Sequence, residues 1–366
     1  MGKQPIRVGF IGLNPDSKWA ATAHIPALRL LEGDFEIVGV ANRTLKSAQR
    51  TARELDLRLA FASPEELISS PDIDLVVVTV KVPHHLELVS AALKAGKHVY
   101  CEWPLGKGLD EARELAAMAR ETASVAVIGT QGRLAAGVEA LKALIADGYV
   151  GKVLSSSIIA SGGNWAGQAS AEIYYLSDSA NGASMQSIAL GHTLVAVQHV
   201  LGGFSALDAT FGRHFDSVKI IETAEVLPKD VPDQVMVQGH MTSGAAISIH
   251  YRAGASRGTN FLWEINGTEG DIQVTGDMGY PQIVELSISG GRLDDRALAP
   301  LAPRRRRAVG EGLSPAAEAV AEIYKCIATD IRTGSRTAPN FDDGLALHEL
   351  IARIEDSAAA KNERMG

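Results

Sequence analysis

The segment GKHVYCEWPLGKG, residues 96–108, contains side chains that could line a ligand site. Its residues 98–101 are typical of a short strand, and Glu102, Trp103 and Pro104 follow at once. A carboxylate accepts hydrogen bonds, and an indole can form a wall that excludes water from a reacting centre. An acid, a large aromatic side chain and a proline at a strand end therefore indicate that something binds there.

A second candidate is the segment VGFIGLNPDSKWAATAHIP, which follows the first predicted strand and begins a helix. This is the context of a dinucleotide-binding loop, in which glycines allow a tight turn and N–H groups at the helix start hold the pyrophosphate. Gly12 fits the first glycine position, and Asn14 the second, because Asn tolerates positive φ. Ala21 stands in for the third glycine, with an insertion before it, so the context supports the assignment more than the motif does.

The residues after the second predicted strand bear on the type of cofactor. A free ribose 2′-hydroxyl is usually met by Asp or Glu at this point, but the segment ANRTLK has no acid before Glu54. The residues that offer donors or positive charge are Asn42, Arg43, Thr44 and Lys46. Such groups suit a 2′-phosphate, so we expect NADP(H) in preference to NAD(H). The alternative is a polar helix start with Thr44 as the N-cap.

The elements that must position these residues alternate in the first third of the chain. Apolar, β-branched segments predict strands at 6–13, 35–41, 74–80, 98–101 and 124–128. Helical patterns lie between them at 20–31, 45–55, 84–95 and 109–121. This alternation predicts a Rossmann domain with a doubly wound parallel sheet over residues 1–130.

After Arg133 the pattern changes to strand candidates with few helices between them. The predicted helices are 137–146 and 189–201, and the predicted strands are 152–161, 206–212, 218–224, 234–241, 245–252, 261–266 and 271–275. Short turns join many of these strands, which favours an open, mostly antiparallel sheet. We therefore expect an α+β domain over 131–340 that serves substrate binding and oligomerisation. Helices are predicted at 315–333 and 342–360, with residues 341–366 forming a C-terminal helix packed on the core.

Composition excludes several classes of function. The chain has 366 residues, 46% hydrophobic and 21% charged, and a formal net charge of -8, which argues against nucleic acid as a partner. Two cysteines cannot form a disulfide framework, and no apolar run is long enough to span a membrane, so we expect a cytoplasmic protein. His24 and the pair His84 and His85 have no metal-ligating neighbours at workable spacing, and we expect no metal.

Several of these segments resemble the glucose-fructose oxidoreductase/inositol dehydrogenase (Gfo/Idh/MocA) family. They are VGFIGL…AHIPAL, DLVVVTVKVPHHLELVSAALKAGKHVYCEWPLG, LIADGYVGKV, NGTEGDIQV and PNFDDGLALHELIARIEDSA. The segments WAATAHIPAL, QGR, GGNW, GHT and VPDQ are similar to the branch that contains the fungal galactose-pathway repressor. The resemblance implies a Rossmann domain followed by an open, mostly antiparallel domain whose sheet forms a homodimer or homotetramer.

Two family motifs are altered in this chain. The family usually has Glu-Lys-Pro after the strand predicted at 98–101, and Trp103 takes the place of the lysine that reaches substrate. In the second motif, here IALGHTLV, Ile188 and Val195 replace the two family aspartates, and His192 is retained. His192 is therefore our candidate general acid/base, since a histidine is the usual proton relay near neutral pH. The alternative is a buried, hydrogen-bonded histidine at a helix start.

The remaining site residues are expected from the resemblance and from their places at strand ends. Tyr174 and Tyr175 are alternative proton donors, unless they only pack. The cofactor is expected to contact Gly12, Leu13, Asn14, Trp19, Asn42, Arg43, Thr44, Lys46, Thr79, Val80, Lys81, His85, Glu102, Trp103 and Gln131. The substrate is expected to contact Trp103, Arg133, Asn164, Trp165, Gln186 and His192.

Two functions agree with these residues. The first is an NADP(H)-dependent oxidoreductase that transfers a hydride to or from a small polar molecule, such as a sugar-like carbonyl, alcohol or imine. The second is a non-catalytic NAD(P)-binding sensor that acts through a protein partner, because the family lysine and both aspartates are replaced. The cofactor carries the hydride chemistry in either assignment, so the difference lies in the proton relay and the substrate site.

Overall fold

A parallel sheet forms the centre of the first part of the chain. The computed structural model describes residues 4–16, 19–302, 309 and 312–365, and for 362–365 it describes the backbone only. In chain order the elements of this part are β1 (Ile6–Ile11), α1 (Ile25–Leu30), β2 (Phe35–Ala41), α2 (Leu45–Leu55), β3 (Leu59–Phe61), α3 (Pro64–Ser69), β4 (Leu75–Val78), α4 (His85–Lys94), β5 (His98–Glu102), α5 (Leu109–Arg120) and β6 (Ala126–Gly129).

The six strands are ordered β3-β2-β1-β4-β5-β6, and every pairing is parallel. β4 is buried along its whole length, as expected for a strand covered by helices on both faces. The chain passes from β3, at one edge of the sheet, to β4 beside β1, so the strand order reverses between β1 and β4. Ligands of doubly wound sheets bind outside the carboxyl ends of the strands at this switch point, so the fold itself locates a candidate site. The predicted Rossmann sheet is confirmed.

An eight-stranded sheet forms the centre of the second part. The elements are α6 (Ala136–Ala146), β7 (Val153–Ser161), β8 (Gln168–Ala169), α7 (Gly191–Leu201), β9 (Phe204–Gly212), β10 (Ser217–Ile220), β11 (Val226–Pro228), β12 (Gln234–Met241), β13 (Ala246–Arg252), β14 (Phe261–Gly267), β15 (Gly270–Gly276), β16 (Ser287–Arg292) and β17 (Ala299–Pro300). The chain then continues through α8 (Pro315–Thr333) and α9 (Phe341–Met365).

The large sheet is ordered β17-β16-β15-β14-β7-β13-β12-β9, with one parallel pair, β7 and β13, and antiparallel pairs elsewhere. Burial alternates along β12 and β13, so one face of the sheet forms the core and the other faces solvent. A smaller sheet is ordered β11-β10-β8. The predicted mixed, mostly antiparallel second sheet is confirmed.

The chain divides into two structural units whose boundaries differ from the sequence-based ones. Unit 1 comprises Met1–Gln131 and Ala308–His348, and unit 2 comprises Gly132–Arg307 and Glu349–Gly366. α8 therefore belongs to unit 1, where the ring of Tyr324 packs against the rings of His24 and Phe35. The boundary within the C-terminal helix falls inside α9, whereas the sequence pattern placed it at residue 341.

Several local elements differ from the sequence-based expectation. The helix expected from residue 20 begins with a π-helical turn at Ala20–His24, which precedes α1. The strand expected to reach residue 224 ends at Ile220, because the chain turns and Ala224 takes a φ of 59°. β3 and α3 were not predicted, since a three-residue strand carries little periodicity. Within the described residues, no helix combines the length and apolar character needed to cross a lipid bilayer.

Candidate nucleotide and substrate sites

The turn after β1 requires glycine at position 12. Gly12 has a φ of +96°, and a Cβ atom placed there would lie 2.5 Å from Cγ1 of Val80. Its N–H donates to the carbonyl oxygen of Ala41 at 3.0 Å, and the N–H of Thr79 donates to that of Ile11 at 3.0 Å. The ends of β1, β2 and β4 are thus held together with bare backbone between them. This is the close backbone approach that a pyrophosphate loop needs.

The rest of this loop differs in detail from the expected glycine pattern. Asn14 is not among the residues with positive φ, so that expectation is wrong. Its Oδ1 instead accepts a hydrogen bond from the N–H of Asp16 at 3.1 Å, which forms an Asx turn. Leu13 is fully buried beneath the loop, and Trp19 is half-buried just before the π-helical turn, 6.2 Å from the ring of His24.

The four residues after β2 fall into two groups. Asn42 donates through Nδ2 to the carbonyl oxygen of Leu13 at 2.8 Å, so it braces the loop. Thr44 is the N-cap of α2 and accepts from the N–H of Ser47 at 3.2 Å, as in the alternative considered from the sequence. Arg43 and Lys46 are exposed. The positive charge of this segment is therefore carried by Arg43 and Lys46.

An ion pair that the sequence did not indicate lies beside this segment. Arg50 contacts Asp16 of the loop at 2.7 Å and Glu54 of its own helix at 2.7 Å. Asp16 is the acidic residue of this loop, and its negative charge is paired with the positive charge of Arg50. The arrangement leaves Arg43 and Lys46 available for an anion at the end of β2.

Trp103 lies against a histidine of α9. The peptide bond between Trp103 and Pro104 is cis, and Trp103 is buried, with 6% of its surface exposed. Its ring lies 4.6 Å from the ring of His348 at an interplanar angle of 46°. Burial lowers the pKa of His348 to about 4, so its imidazole is neutral at physiological pH. The side chain in the family's lysine position is thus half of an aromatic pair.

His85 connects the end of β4 to the turn that carries Trp103. Its Nδ1 lies 2.7 Å from the carbonyl oxygen of Pro104 and its Nε2 lies 3.0 Å from that of Val80. Burial lowers the pKa of His85, which favours the neutral ring, and a neutral imidazole donates to only one of the two carbonyls. The fully buried ring holds two segments of the predicted cofactor site next to each other. Lys81, which follows Val80 in the sequence, is exposed.

Glu102 is fixed by two side chains. Gln131 donates through Nε2 to its Oε2 at 3.0 Å, and Nε2 of His24 lies 2.8 Å from its Oε1. From the sequence, His24 was considered only as a metal ligand. Its pairing with Glu102 joins residues 78 positions apart, and no local motif indicates such a contact.

His192 lies at the start of α7 in unit 2. It is 8% exposed and follows a π-helical turn at Gln186–Leu190. Such turns are frequent at functional sites. The next residue, Thr193, shares a 2.6 Å hydrogen bond with Tyr251, which anchors this end of the helix to the large sheet. Gln186 is also buried and donates through Nε2 to Oε1 of Glu355 at 3.3 Å. The same helical segment therefore carries Gln186 and His192.

The segment containing Asn164 and Trp165 is strained. Trp165 has a φ of 64°, which costs a bulky residue about 1–2 kcal/mol, and its buried indole donates to the carbonyl oxygen of Ala183 at 3.3 Å. The carbonyl of Asn164 accepts from the N–H of Gly254 at 2.7 Å. Strain of this kind is often kept where function requires the geometry. Arg133, at the start of unit 2, is half-buried.

The two candidate tyrosines differ in their surroundings. Tyr174 donates its hydroxyl to the carbonyl oxygen of Pro228 at 3.0 Å, so that proton is already engaged. Burial raises the pKa of Tyr175, which keeps its hydroxyl protonated. Among the described residues, no group of three or more His, Cys, Asp and Glu side chains is arranged to hold a metal ion.

Comparison with known proteins agrees with both units. Residues 6–141 match the profile of an oxidoreductase family with an NAD-binding Rossmann fold, and residues 137–276 match that of the C-terminal domain of Gal80p. The galactose/lactose metabolism regulatory protein GAL80 of Kluyveromyces lactis is 32% identical over 304 residues, which cover 77% of this chain and 66% of that protein. The dehydrogenase aclE of Aspergillus oryzae is 32% identical over 283 residues, covering 74% of this chain and 77% of that protein.

A solved structure extends this similarity over nearly the whole chain. A super-repressor mutant of Gal80p from Saccharomyces cerevisiae has a TM-score of 0.87 and 26% identity, and the match covers 98% of this chain and 97% of that one. The chain therefore belongs to the Gfo/Idh/MocA oxidoreductase family and lies near its Gal80 branch.

Proposed function

We propose that this protein is an NADP(H)-dependent oxidoreductase that transfers a hydride to or from a small polar, sugar-like carbonyl, alcohol or imine. The observation that carries the proposal is the set of residues at the carboxyl edge of the parallel sheet in unit 1. There Gly12 leaves bare backbone at the switch point, where an added Cβ atom would lie 2.5 Å from Val80. Exposed Arg43 and Lys46 follow β2 in place of an acid. These residues fit a dinucleotide that carries a 2′-phosphate.

Each residue of unit 1 has a distinct part in this proposal. When bound, the nicotinamide supplies the hydride chemistry. Gly12 and the loop after it accept the pyrophosphate, and Arg43 and Lys46 hold the 2′-phosphate. His85 keeps the end of β4 beside the turn that carries Trp103. The buried Trp103 excludes water and closes the position from which a lysine would otherwise reach.

The proposal also assigns a proton relay and contacts to the substrate. We assign His192 as the group that gives or takes the proton, and Tyr175 as the alternative donor. Asn164, Gln186 and Arg133 are neutral or cationic hydrogen-bonding side chains, which suit hydroxyl or carboxylate groups. Ile188 and Val195 stand at the positions of the two family aspartates, so those two carboxylates take no part in this chain.

A second candidate function is a nucleotide-binding regulator that acts through a protein partner. Trp103 favours it, because an indole packed on His348 cannot replace the proton chemistry of a lysine. The similarity to GAL80 proteins, which are named as regulatory proteins, also supports it. Such a regulator would bind the same cofactor and would not turn it over.

Titration of the purified protein with NADPH, followed by nicotinamide fluorescence, tests the cofactor part of both candidates. A panel of sugars, polyols and imines, assayed at 340 nm with the same sample, then separates them. We expect saturable binding and hydride transfer with at least one compound. Tight binding without turnover across the panel would favour the regulator, and an absence of binding would contradict both.

Removal of the charges of Arg43 and Lys46 tests the preference for NADP(H). We expect Arg43→Ala with Lys46→Ala to weaken NADPH binding by about tenfold or more, since hydrogen bonds to charged groups contribute about 1.5–3 kcal/mol. The affinity for NADH is expected to stay within about twofold, because NADH lacks the 2′-phosphate. Fluorescence titration measures both. Arg53→Ala, a charge removal at the other end of α2, is the matched control, and equal losses for NADPH and NADH would contradict the assignment.

We also propose that the solvent-facing side of the eight-stranded sheet joins copies of this chain into a homodimer or homotetramer in the cytoplasm. Ile159, His250 and Met236 are register neighbours across β7, β13 and β12, and Ile159 and Met236 are 41% and 43% exposed. Apolar side chains in the middle of an open sheet face are typical of an interface.

Ile159→Glu tests this interface. The change places a charge at the centre of the face, and we expect it to shift the protein from dimer or tetramer to monomer, because an unpaired charge is costly to bury. Light scattering coupled to size-exclusion chromatography measures the mass. Ile221→Glu, at a 65% exposed isoleucine outside this sheet, is the control. A wild-type protein that is monomeric at all concentrations would disprove the interface.

A further inference from the structure

Two buried side chains, His24 and Tyr324, form a chain that supports the carboxylate of Glu102. His24, the last residue of the π-helical turn in unit 1, is 0% exposed. Its Nε2 lies 2.8 Å from Oε1 of Glu102, and its Nδ1 lies 2.8 Å from the hydroxyl oxygen of Tyr324 on α8. Tyr324 is also 0% exposed. Three elements distant in sequence therefore meet at the imidazole of His24.

The proton positions follow from the acceptors. Glu102 is an acceptor when ionised, so Nε2 of His24 carries a hydrogen and donates to it. Nδ1 is then the acceptor for the hydroxyl of Tyr324. Each polar atom of the chain has a partner in this arrangement. The other oxygen of Glu102, Oε2, accepts from Nε2 of Gln131 at 3.0 Å.

The surrounding residues fix both the imidazole and the carboxylate. Rings of Phe10, Trp19 and Tyr100 enclose His24, with centroid distances of 5.8, 6.2 and 5.1 Å. On β6, a Cβ atom at Gly129 would lie 2.7 Å from Oε2 of Glu102. The missing side chain at position 129 thus leaves the space that the carboxylate fills. The side chain of Glu102 is therefore restricted to one conformation, whereas a surface glutamate samples several rotamers.

We infer that His24 and Tyr324 are positioning residues that hold the Glu102 carboxylate as a fixed hydrogen-bond acceptor at the carboxyl end of β5. The side chain of Glu102 is 12% exposed, so part of it remains accessible while both oxygens are held. A carboxylate oxygen can accept more than one hydrogen bond, so a ligand can bond to Glu102 in addition to the protein groups. A hydroxyl or amide N–H of a bound nucleotide is the chemical class it would take, and this part alone rests on the proposed function.

The geometry favours positioning over proton transfer. Tyr324 is fully buried, and burial raises its pKa well above the ordinary value, so it holds its proton rather than passing it on. A relay to water would need an exposed group at the far end of the chain, and Tyr324 is not one. An acceptor locked before binding avoids the entropic cost of ordering it when the ligand arrives.

Two measurements test this inference. The first uses the protein without cofactor: ¹⁵N-histidine labelling reports whether His24 carries its proton on Nε2, as expected, in the wild type. The second is NADPH affinity in Tyr324→Phe, His24→Leu, His24→Gln and Glu102→Gln. We expect about a tenfold loss for His24→Leu, a smaller loss for Tyr324→Phe, and near wild-type affinity for His24→Gln, whose amide can both donate to Glu102 and accept from Tyr324.

A double-mutant cycle identifies the path of the effect. If His24 acts through Glu102, His24→Leu is expected to cost nothing further in the Glu102→Gln background. Tyr251→Phe, which removes a buried hydroxyl bonded to Thr193 in unit 2, is the control for general destabilisation. If His24→Leu does not fold, Tyr324→Phe and His24→Gln carry the test.

The outcomes separate this inference from the proposed function. A wild type that does not bind NADPH would overturn the proposed function, and the labelled imidazole would still report the arrangement at Glu102. A proton on Nδ1 of His24 would overturn the inference. So would losses in the double mutant that simply add, or unchanged NADPH affinity in folded Tyr324→Phe and His24→Leu.

Discussion

Replacing His192 by alanine is expected to lower kcat by about 10²–10⁴-fold on any substrate that the panel identifies, because general acid/base groups contribute factors of this size. The fold places His192 second in α7, directly after a π-helical turn, and 8% exposed. The affinity for NADPH, measured by fluorescence, is expected to stay within about threefold, since the change removes a proton relay and leaves the cofactor contacts of unit 1 intact. Steady-state kinetics of the wild type and of His192→Ala across pH 5–9 measure this change in kcat.

Two control variants show whether a loss is specific to His192. His199→Ala changes another histidine of α7, which is paired with Glu139 at the opposite end of the helix. It is expected to retain activity. Tyr175→Phe tests the alternative proton donor, and a larger loss there than in His192→Ala would move the assignment to Tyr175. Full activity in His192→Ala would remove the histidine from the mechanism.

The parallel sheet could be predicted from sequence because buried parallel strands leave a strong signal. The segments containing β1, β2 and β4 are apolar and β-branched, and the helical pattern at Leu45–Leu55 gave both ends of α2 as the structure has them. β3 was missed, since it has three residues and all are half-buried. The position of α8 in unit 1 could not be predicted, because an amphipathic helix shows that it packs and does not show on what.

Local motifs gave the outline of the candidate site and missed its supporting contacts. Gly12 was found because positive φ and close approach restrict the residue type. Asn42 was expected to face a phosphate and instead braces the loop, a difference that depends on where its side chain points. His24 and His348 lie in segments that resemble the family, and Tyr324 does not, but no residue pattern in these segments indicates what the three side chains contact. Their contacts with Glu102 and Trp103 are tertiary, and one sequence does not encode them in any local pattern.

The burial of His348 makes the stability of the protein depend on pH. His348 is 4% exposed, none of the described residues bonds to its Nε2, and burial lowers its pKa to about 4. In the unfolded chain a histidine has a pKa of about 6.5. Between these values the unfolded state binds a proton that the folded state does not. The stability is therefore present above pH 6.5 and is lost as the pH falls towards 4.

We expect the free energy of unfolding to fall by about 2 kcal/mol between pH 7 and pH 4.5 because of His348 alone. The pKa of this histidine is lower by about 2.5 in the folded state, and each pKa unit corresponds to about 1.4 kcal/mol. Most of the resulting loss of stability is reached at pH 4.5. Urea denaturation at the two pH values, in wild type and His348→Leu, isolates this contribution from the other titrating groups. The leucine variant is expected to lose about 2 kcal/mol less on acidification. It is also expected to be no less stable at pH 7, because it removes a buried polar atom. His84→Leu, at an exposed histidine of the same unit, should follow the wild-type pH dependence, and equal pH slopes in wild type and His348→Leu would show that the imidazole beside Trp103 is not held neutral.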